Sequence, residues 1–283
     1  MRIAQYATSR GPMVERHALS AKRYARRAMN RQENEKVRNP RGWGLYLVTD
    51  RKQTGGRDLS AVLSLALQAG VRAIQLREKG LDTIEVYRLG ERLLSLSRQA
   101  GAVLFVNDRV DVAMALGADG VHLTRKSLPP KDARALVGPE MLLGISCHSL
   151  ADVREAIEGG VDFLVLGPIY DTPSKASYGA PLTPAILKQA REICPLPILA
   201  IGGINATRVP EVVQAGADGV AAISAVLAAP DPGTATRELL ETVARAKGVE
   251  QSKSQSVNSH PSGVDLLTNR PIDELTCFYA DPC

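Results

Sequence analysis

Six short polar clusters each follow an apolar run and carry side chains suited to phosphate or metal. They are Gln75-Leu76-Arg77-Glu78-Lys79, Asn107-Asp108-Arg109, Ser146-Cys147-His148, the loop 167–175 with Thr172, Ser174 and Lys175, then Gly202-Gly203 and Ile223-Ser224. On an extended segment alternate side chains share a face, so Gln75, Arg77 and Lys79 point the same way. An amide and two cations at that spacing can hold a diphosphate, Arg as a planar fork and Lys as a point charge. A salt-bridged strand end is the alternative. Asp108 is a candidate ligand for Mg²⁺, which takes one or two carboxylates plus phosphate oxygens; capping the next helix would explain the same residue. Thr172, Ser174 and Lys175 offer phosphate donors from a loop long enough to be functional, against the reading of a plain solvent loop. Gly203, Ile223 and Ser224 sit where backbone N–H groups can approach an oxyanion, although Gly-Gly is also an ordinary turn.

Two histidines and one cysteine complete the candidates. His148 follows an apolar run and suits either acid/base chemistry near neutral pH or a helix cap. His122, between Val121 and Leu123, reads as a hydrogen-bonded core residue. Cys147 lies between Ser146 and His148, which point away from it on an extended segment, so it reads as a buried structural thiol.

These clusters need elements to hold them. Between about residues 45 and 246, short aliphatic runs alternate with longer stretches of helical period, the pattern of βα units. Strands are predicted over 45–49, 72–76, 103–106, 120–123, 142–145, 163–166, 198–200 and 219–222, and helices over, among others, 59–68, 83–98, 150–158, 184–193 and 232–246. The joints repeat as Ala69-Gly70-Val71, Gly117-Ala118-Asp119-Gly120-Val121, Gly159-Gly160-Val161-Asp162 and Gly216-Ala217-Asp218-Gly219-Val220, each with a Gly where a helix stops in a left-handed turn. Eight such units predict a (β/α)8 TIM barrel with the clusters at the carboxyl ends of its strands. A doubly wound sheet would carry G-x-G-x-x-G after the first strand, where this chain has Asp50-Arg51-Lys52.

With 283 residues and 45% hydrophobic content, one barrel of roughly 250 residues suffices. The net charge of +5 is unevenly spread: residues 1–42 hold eleven Lys and Arg against Glu15, Glu33 and Glu35, which leaves the rest at −3. Basicity thus belongs to a leader, residues 1–42, expected to be disordered and compatible with a transit peptide, a nucleic-acid arm or a solvated end. The catalytic domain is expected over 43–247, and a polar, disordered tail over 248–283. Cys147, Cys194, Cys277 and Cys283 have no C-x-x-C spacing, so neither a zinc site nor a disulfide framework is predicted. No run approaches the ~20 apolar residues of a membrane span, and a soluble, cytoplasmic protein with no membrane partner is expected.

From residue 46 to about 243 the chain closely resembles thiamin-phosphate synthases and their sister thiazole tautomerases, which share one (β/α)8 barrel. The resemblance rests on Gln75-Leu76-Arg77-Glu78-Lys79, Val106-Asn107-Asp108-Arg109, Gly120-Val121-His122-Leu123, Gly144-Ile145-Ser146, Gly167-Pro168-Ile169-Tyr170 with Thr172-Pro173-Ser174-Lys175, and Ile201-Gly202-Gly203-Ile204. It implies that Gln75, Arg77, Lys79 and Asn107 contact a pyrimidine diphosphate and that Asp108 binds Mg²⁺. Ser146 and Lys175 would serve the same substrate, and Thr172, Ser174, Gly203, Ile223 and Ser224 would surround a thiazole phosphate. Synthases usually carry a further Asp, a second Mg²⁺ ligand, after the Gly-Val-His-Leu string; this chain reads Thr124-Arg125-Lys126-Ser127 there. Ser127 therefore opens the tautomerase reading, metal-independent, with His148 as acid/base. A precursor-sensing barrel whose leader touches nucleic acid is a third reading, although a nucleic-acid partner is not expected. The resemblance also implies phosphorylated pyrimidine and thiazole partners and a homo-oligomer.

Overall fold

The computed structural model of the chain describes residues 37–172 and 180–257. Eight parallel strands close into a barrel in sequence order: β1 Leu45–Val48, β2 Ala73–Leu76, β3 Val103–Asn107, β4 Gly120–Leu123, β5 Leu142–Cys147, β6 Phe163–Leu166, β7 Ile198–Ile201 and β8 Gly219–Ala222. Closure is the β1–β8 pairing, with Leu45 beside Val220 and Leu47 beside Ala222. The predicted (β/α)8 class and all eight predicted strands are present.

Helices cover the barrel: α1 Leu59–Gln68, α2 Thr83–Gln99, α3 Val110–Leu116, α4 Pro130–Val137, α5 Leu150–Glu158, α6 Ala185–Ile193, α7 Val209–Gln214, the single turn α8 Ser224–Leu227, and α9 Pro232–Val257. Local chemistry starts them. Asp58 caps α1 through the Ala61 N–H, Asp82 and Glu85 form a reciprocal capping box on α2, and Ser149 caps α5 through the Asp152 N–H. The α9 helix packs on α7 and α1. It runs ten residues beyond the predicted start of the tail at 248, because that polar stretch continues an established helix. Residues 258–283, with Cys277 and Cys283, lie outside the described residues, as does most of the basic leader. Among the described residues no helix is long and apolar enough to cross a membrane.

The repeated joints have a structural reason beyond the left-handed glycine. Asp119, Asp162 and Asp218 each precede a strand, and each carboxylate accepts the N–H of the strand before it: Leu104 at 3.0 Å, Leu143 at 2.6 Å and Ile198 at 2.8 Å. The N–H of each Asp returns a bond to the carbonyl of that same residue. Arginines complete the braces: Arg134 on Asp162 at 2.6 Å, and Arg191 and Arg41 on Asp218 at 2.7 and 2.5 Å.

Inside the barrel, Trp43, Tyr46, Phe105 and Phe163 meet with centroids 5.1–5.8 Å apart, mostly edge to face. Trp43 plugs the amino-terminal end and donates its indole N–H to the Val37 carbonyl at 2.5 Å. Residues 37–42 thus belong to the barrel floor, which corrects the expected leader boundary: Arg41 reaches Asp218 and Arg38 the Glu140 carbonyl. The aromatics need Gly120 and Gly144. A Cβ at either would stand 2.3 Å from Phe105 Cε1 or Phe163 Cζ. Gly144→Ala is therefore expected to cost about 1–3 kcal/mol through overpacking, read as a lower urea midpoint with an unchanged slope.

Candidate active site

Strand register brings the predicted clusters to one mouth. At the end of β2, Gln75 is buried at 3% exposure inside the barrel, and Glu78, two residues past the strand, accepts the Arg51 N–H at 3.0 and 3.2 Å. Arg77 is fixed through its backbone N–H, which donates to Thr49 Oγ1 at 2.9 Å. Its guanidinium is close enough to His122 to depress that imidazole's pKa. Among the described residues neither Arg77 nor Lys79 has an ion-pair partner. This removes the salt-bridged strand end as an explanation and leaves both cations, Arg77 half-buried and Lys79 exposed, free to meet an anion.

Asp108 follows β3 with φ of 64°, a left-handed backbone costing about 1 kcal/mol or more for a residue with a side chain. Its N–H bonds the His122 carbonyl at 2.8 Å, and its carbonyl accepts Val110 N–H at 3.0 Å. The capping alternative fails. The N-cap of α3 is Arg109, with no side-chain cap bond. The Asp108 carboxylate instead receives the Ser127 hydroxyl at 2.5 Å. Beside it, Asn107 Oδ1 is buried without a hydrogen-bond partner among the described residues, an acceptor that native proteins rarely leave unsatisfied. Arg109 turns away to Asp111 and Thr83 and is no part of the mouth.

A polar chain that the sequence reading did not assemble crosses the barrel under these groups. Gln75 Nε2 donates to Tyr46 Oη at 3.3 Å, Tyr46 Oη lies 3.4 Å from His122 Nδ1, and His122 Nε2 lies 2.9 Å from Ser146 Oγ. Burial, then the charge of Arg77, pushes the His122 pKa down to about 3. The ring is neutral at working pH, one nitrogen donating and one accepting. Burial likewise raises the Tyr46 phenol well above its usual range. His122 is buried and hydrogen-bonded as expected, yet it also supports two candidate site residues, Ser146 directly and Gln75 through Tyr46. The period-two spacing of Tyr46 from Val48, and of His122 from Gly120, carried the signal.

His148 does not cap α5; Ser149 does. The His148 N–H donates to Asp152 Oδ2 at 2.7 Å, and its Nδ1 donates to the Gly167 carbonyl, leaving Nε2 as the acceptor. Cys147 is fully buried and its thiol is pushed far up by burial first and by Asp152 next, so it holds no nucleophilic thiolate.

The second half of the mouth comes from β6 to β8. Ile201 pairs with Ala221 at the ends of β7 and β8, so the turn at Gly202-Gly203 and the segment Ile223-Ser224, with Ser224 exposed, leave the barrel from neighbouring strand ends. Gly202 and Gly203 have φ of 99° and 64°, and a Cβ on Gly203 would stand 2.8 Å from the Asp171 carbonyl, so only glycine fits the turn. Arg208 ties it down: Nη1 donates to the Gly203 carbonyl at 2.5 Å while Cζ lies 4.4 Å over the Tyr170 ring. Tyr170 donates to Glu211 at 2.5 Å, and its pKa is pushed up to about 12 by burial and then by that carboxylate. Thr172 stands at the end of this loop; Ser174 and Lys175 lie outside the described residues.

The fold and mouth define a (β/α)8 barrel with a cationic, glycine-lined site at the carboxyl ends of its strands. Within that class, the chain belongs to the thiamine monophosphate synthase family, whose profile matches residues 45–226. The thiamine-phosphate synthase of Moorella thermoacetica is 44% identical over 206 residues, which is 73% of this chain and 98% of that protein. That of Roseiflexus sp. (strain RS-1) is 42% identical over 215 residues, 76% of this chain and 91% of the relative. Thiamine phosphate pyrophosphorylase from Pyrococcus furiosus superposes with a TM-score of 0.67 at 37% identity, covering 74% of this chain and 98% of that one.

Proposed function

We propose that the protein is a thiamin-phosphate synthase, joining hydroxymethylpyrimidine diphosphate to thiazole phosphate with release of diphosphate. The observation that carries this reading is the pair of cations, Arg77 and Lys79, without ion-pair partners among the described residues, after the strand that neighbours the one leading to Asp108, a left-handed residue whose carboxylate caps no helix. In the reaction the bond from the pyrimidine methylene carbon to the diphosphate oxygen breaks, and its electron pair leaves with the diphosphate. The thiazole nitrogen lone pair then forms the new C–N bond. Arg77 and Lys79 hold the oxygens on which charge builds, where preorganised donors act most strongly. Gln75 and Ser146, steadied by Tyr46 and His122, orient the pyrimidine. The turn at Gly203, with Ile223 and Ser224, takes the monophosphate, and Thr172 is a further donor to it, while Ser174 and Lys175 lie outside the described residues.

Mg²⁺ fits as a partner of the substrate. Among the described residues no group of three or more His, Cys, Asp or Glu side chains converges, but Asp108 and the unsatisfied Asn107 Oδ1 are hard oxygens of the kind Mg²⁺ takes together with phosphate. Bound there, Mg²⁺ would neutralise charge on the departing diphosphate.

The tautomerase reading draws support from Ser127, which stands where a second carboxylate would be, and from the free Nε2 of His148. One experiment separates the two: the pure protein with both synthase substrates and Mg²⁺, assayed for diphosphate. Release that Asp108→Ala or chelation removes is expected. No release at any Mg²⁺ level, with proton exchange on a thiazole carboxylate phosphate that His148→Ala abolishes, would overturn the synthase reading.

A further inference from the structure

The turn after β4 places Ser127 against the carboxylate of the diphosphate subsite in a way that makes it more than a vacated ligand position. Ser127 Oγ accepts the Thr124 N–H at 2.8 Å, lies 3.2 Å from Thr124 Oγ1 and donates to Asp108 Oδ1 at 2.5 Å. The turn is closed by Ser127 N–H on the Thr124 carbonyl at 3.0 Å and by Lys126 N–H on Thr124 Oγ1 at 3.3 Å. A hydroxyl has one hydrogen, and with Thr124 N–H occupying a lone pair that hydrogen is committed to Asp108. Asp108 is held in place by its own bonds to the His122 carbonyl and the Val110 N–H. Asp108 Oδ1 is therefore satisfied without a metal, while Asn107 Oδ1 beside it is not.

A carboxylate at position 127 could still take the Thr124 N–H, but it would set two negative charges side by side, which a divalent cation relieves. Serine removes that demand and adds a proton donor competing for Oδ1, in a charge-assisted bond of the stronger kind. The exposed neighbours Arg125 and Lys126 attract an anion and repel a free dication. We propose that Ser127 makes divalent-cation binding conditional on diphosphate: the ion enters with the anion, whose oxygens replace the missing carboxylate, and does not load the empty protein. The inference rests on Asp108 being the metal ligand of the proposed synthase.

The test uses the full chain with Mn²⁺ as a spectroscopic probe, titrated by electron paramagnetic resonance with and without inorganic diphosphate. Diphosphate is expected to tighten Mn²⁺ on the wild type by about tenfold or more, the equivalent of one good ionic contact. Ser127→Asp is expected to bind Mn²⁺ alone about tenfold more tightly than the wild type does, and to lose most of the diphosphate dependence. Ser127→Ala, which needs no new charge in the turn, should bind Mn²⁺ alone at least as well as the wild type, since the competing proton is gone. Asp108→Asn should abolish the diphosphate-dependent binding. Equal Mn²⁺ affinity with and without diphosphate in the wild type would overturn the proposal. So would weaker Mn²⁺ binding by Ser127→Ala, since the serine oxygen would then be a ligand. Synthase turnover is measured separately: conditional Mn²⁺ binding without turnover leaves this inference standing and removes the synthase reading, whereas turnover with unconditional binding does the reverse.

Discussion

Arg77→Ala is expected to lower kcat for thiamin phosphate formation by about 10²–10³-fold, the range seen when one preorganised donor to a developing charge is removed. Arg77 is supported from behind by Thr49, which accepts its backbone N–H, and that bond survives the substitution. The guanidinium has no ion-pair partner among the described residues, so its loss should leave the urea midpoint nearly unchanged. Arg77→Lys should recover only part of the rate, because a point charge cannot offer two parallel donors. A rate within threefold of wild type in Arg77→Ala would remove this residue from the diphosphate site.

Stability should fall steeply in mild acid through one buried ring. His122 has a folded-state pKa near 3, lowered by burial and then by Arg77, against about 6.5 in an unfolded chain. Below pH 6.5 the unfolded chain binds a proton that the folded barrel refuses. The contribution of this group is therefore complete above pH 6.5 and is lost as pH falls toward 3, at up to about 1.4 kcal/mol per pH unit. By pH 4.5 the loss from His122 amounts to roughly 2–3 kcal/mol. Urea unfolding at pH 7 and 4.5, compared between wild type and His122→Gln, isolates this from the other titrating groups. Identical pH slopes in the two proteins would show that the imidazole does not titrate in this way. Arg77→Ala, by removing a repelling cation, should soften the wild-type slope.

The outline of the fold was legible because its signals are local. Apolar runs of strand length, helical period between them and Gly at each helix end fall within windows of about ten residues, and every predicted strand is found. The facing of the candidate residues after β2 was legible for the same reason: alternation alone sets Gln75 inside the barrel and Arg77 on the side of His122. What stayed hidden depends on partners far apart in sequence. Alternation assigns His122 a side but not a depth, and the chain from Gln75 through Tyr46 to Ser146 exists only once four strands are in register. Asp108 was ambiguous between capping and ligation because its carboxylate partner lies 19 residues away, in the hydroxyl of Ser127; the structure removes the capping reading alone. Residues 37–42 were assigned to the leader on charge, although Arg38 and Arg41 use that charge to fasten the barrel floor.

The aspartate braces at the foot of the barrel divide it in a regular way. Asp119 links β4 to β3, Asp162 links β6 to β5, and Asp218 links β8 to β7, each bonding one residue of the earlier strand through both carboxylate and backbone. The equivalent position before β2 is Arg72, which bonds the Leu67 and Val71 carbonyls of its own joint. Three of the barrel's strand pairs, β3–β4, β5–β6 and β7–β8, are thus latched alike, while β1–β2 carries no such latch among the described residues. A chain severed between latched pairs, in the segment from β4 to β5 or from β6 to β7, would keep each latch whole within one fragment. Those two joints are where a split or circularly rearranged version of this enzyme could be cut while keeping its strand pairs intact.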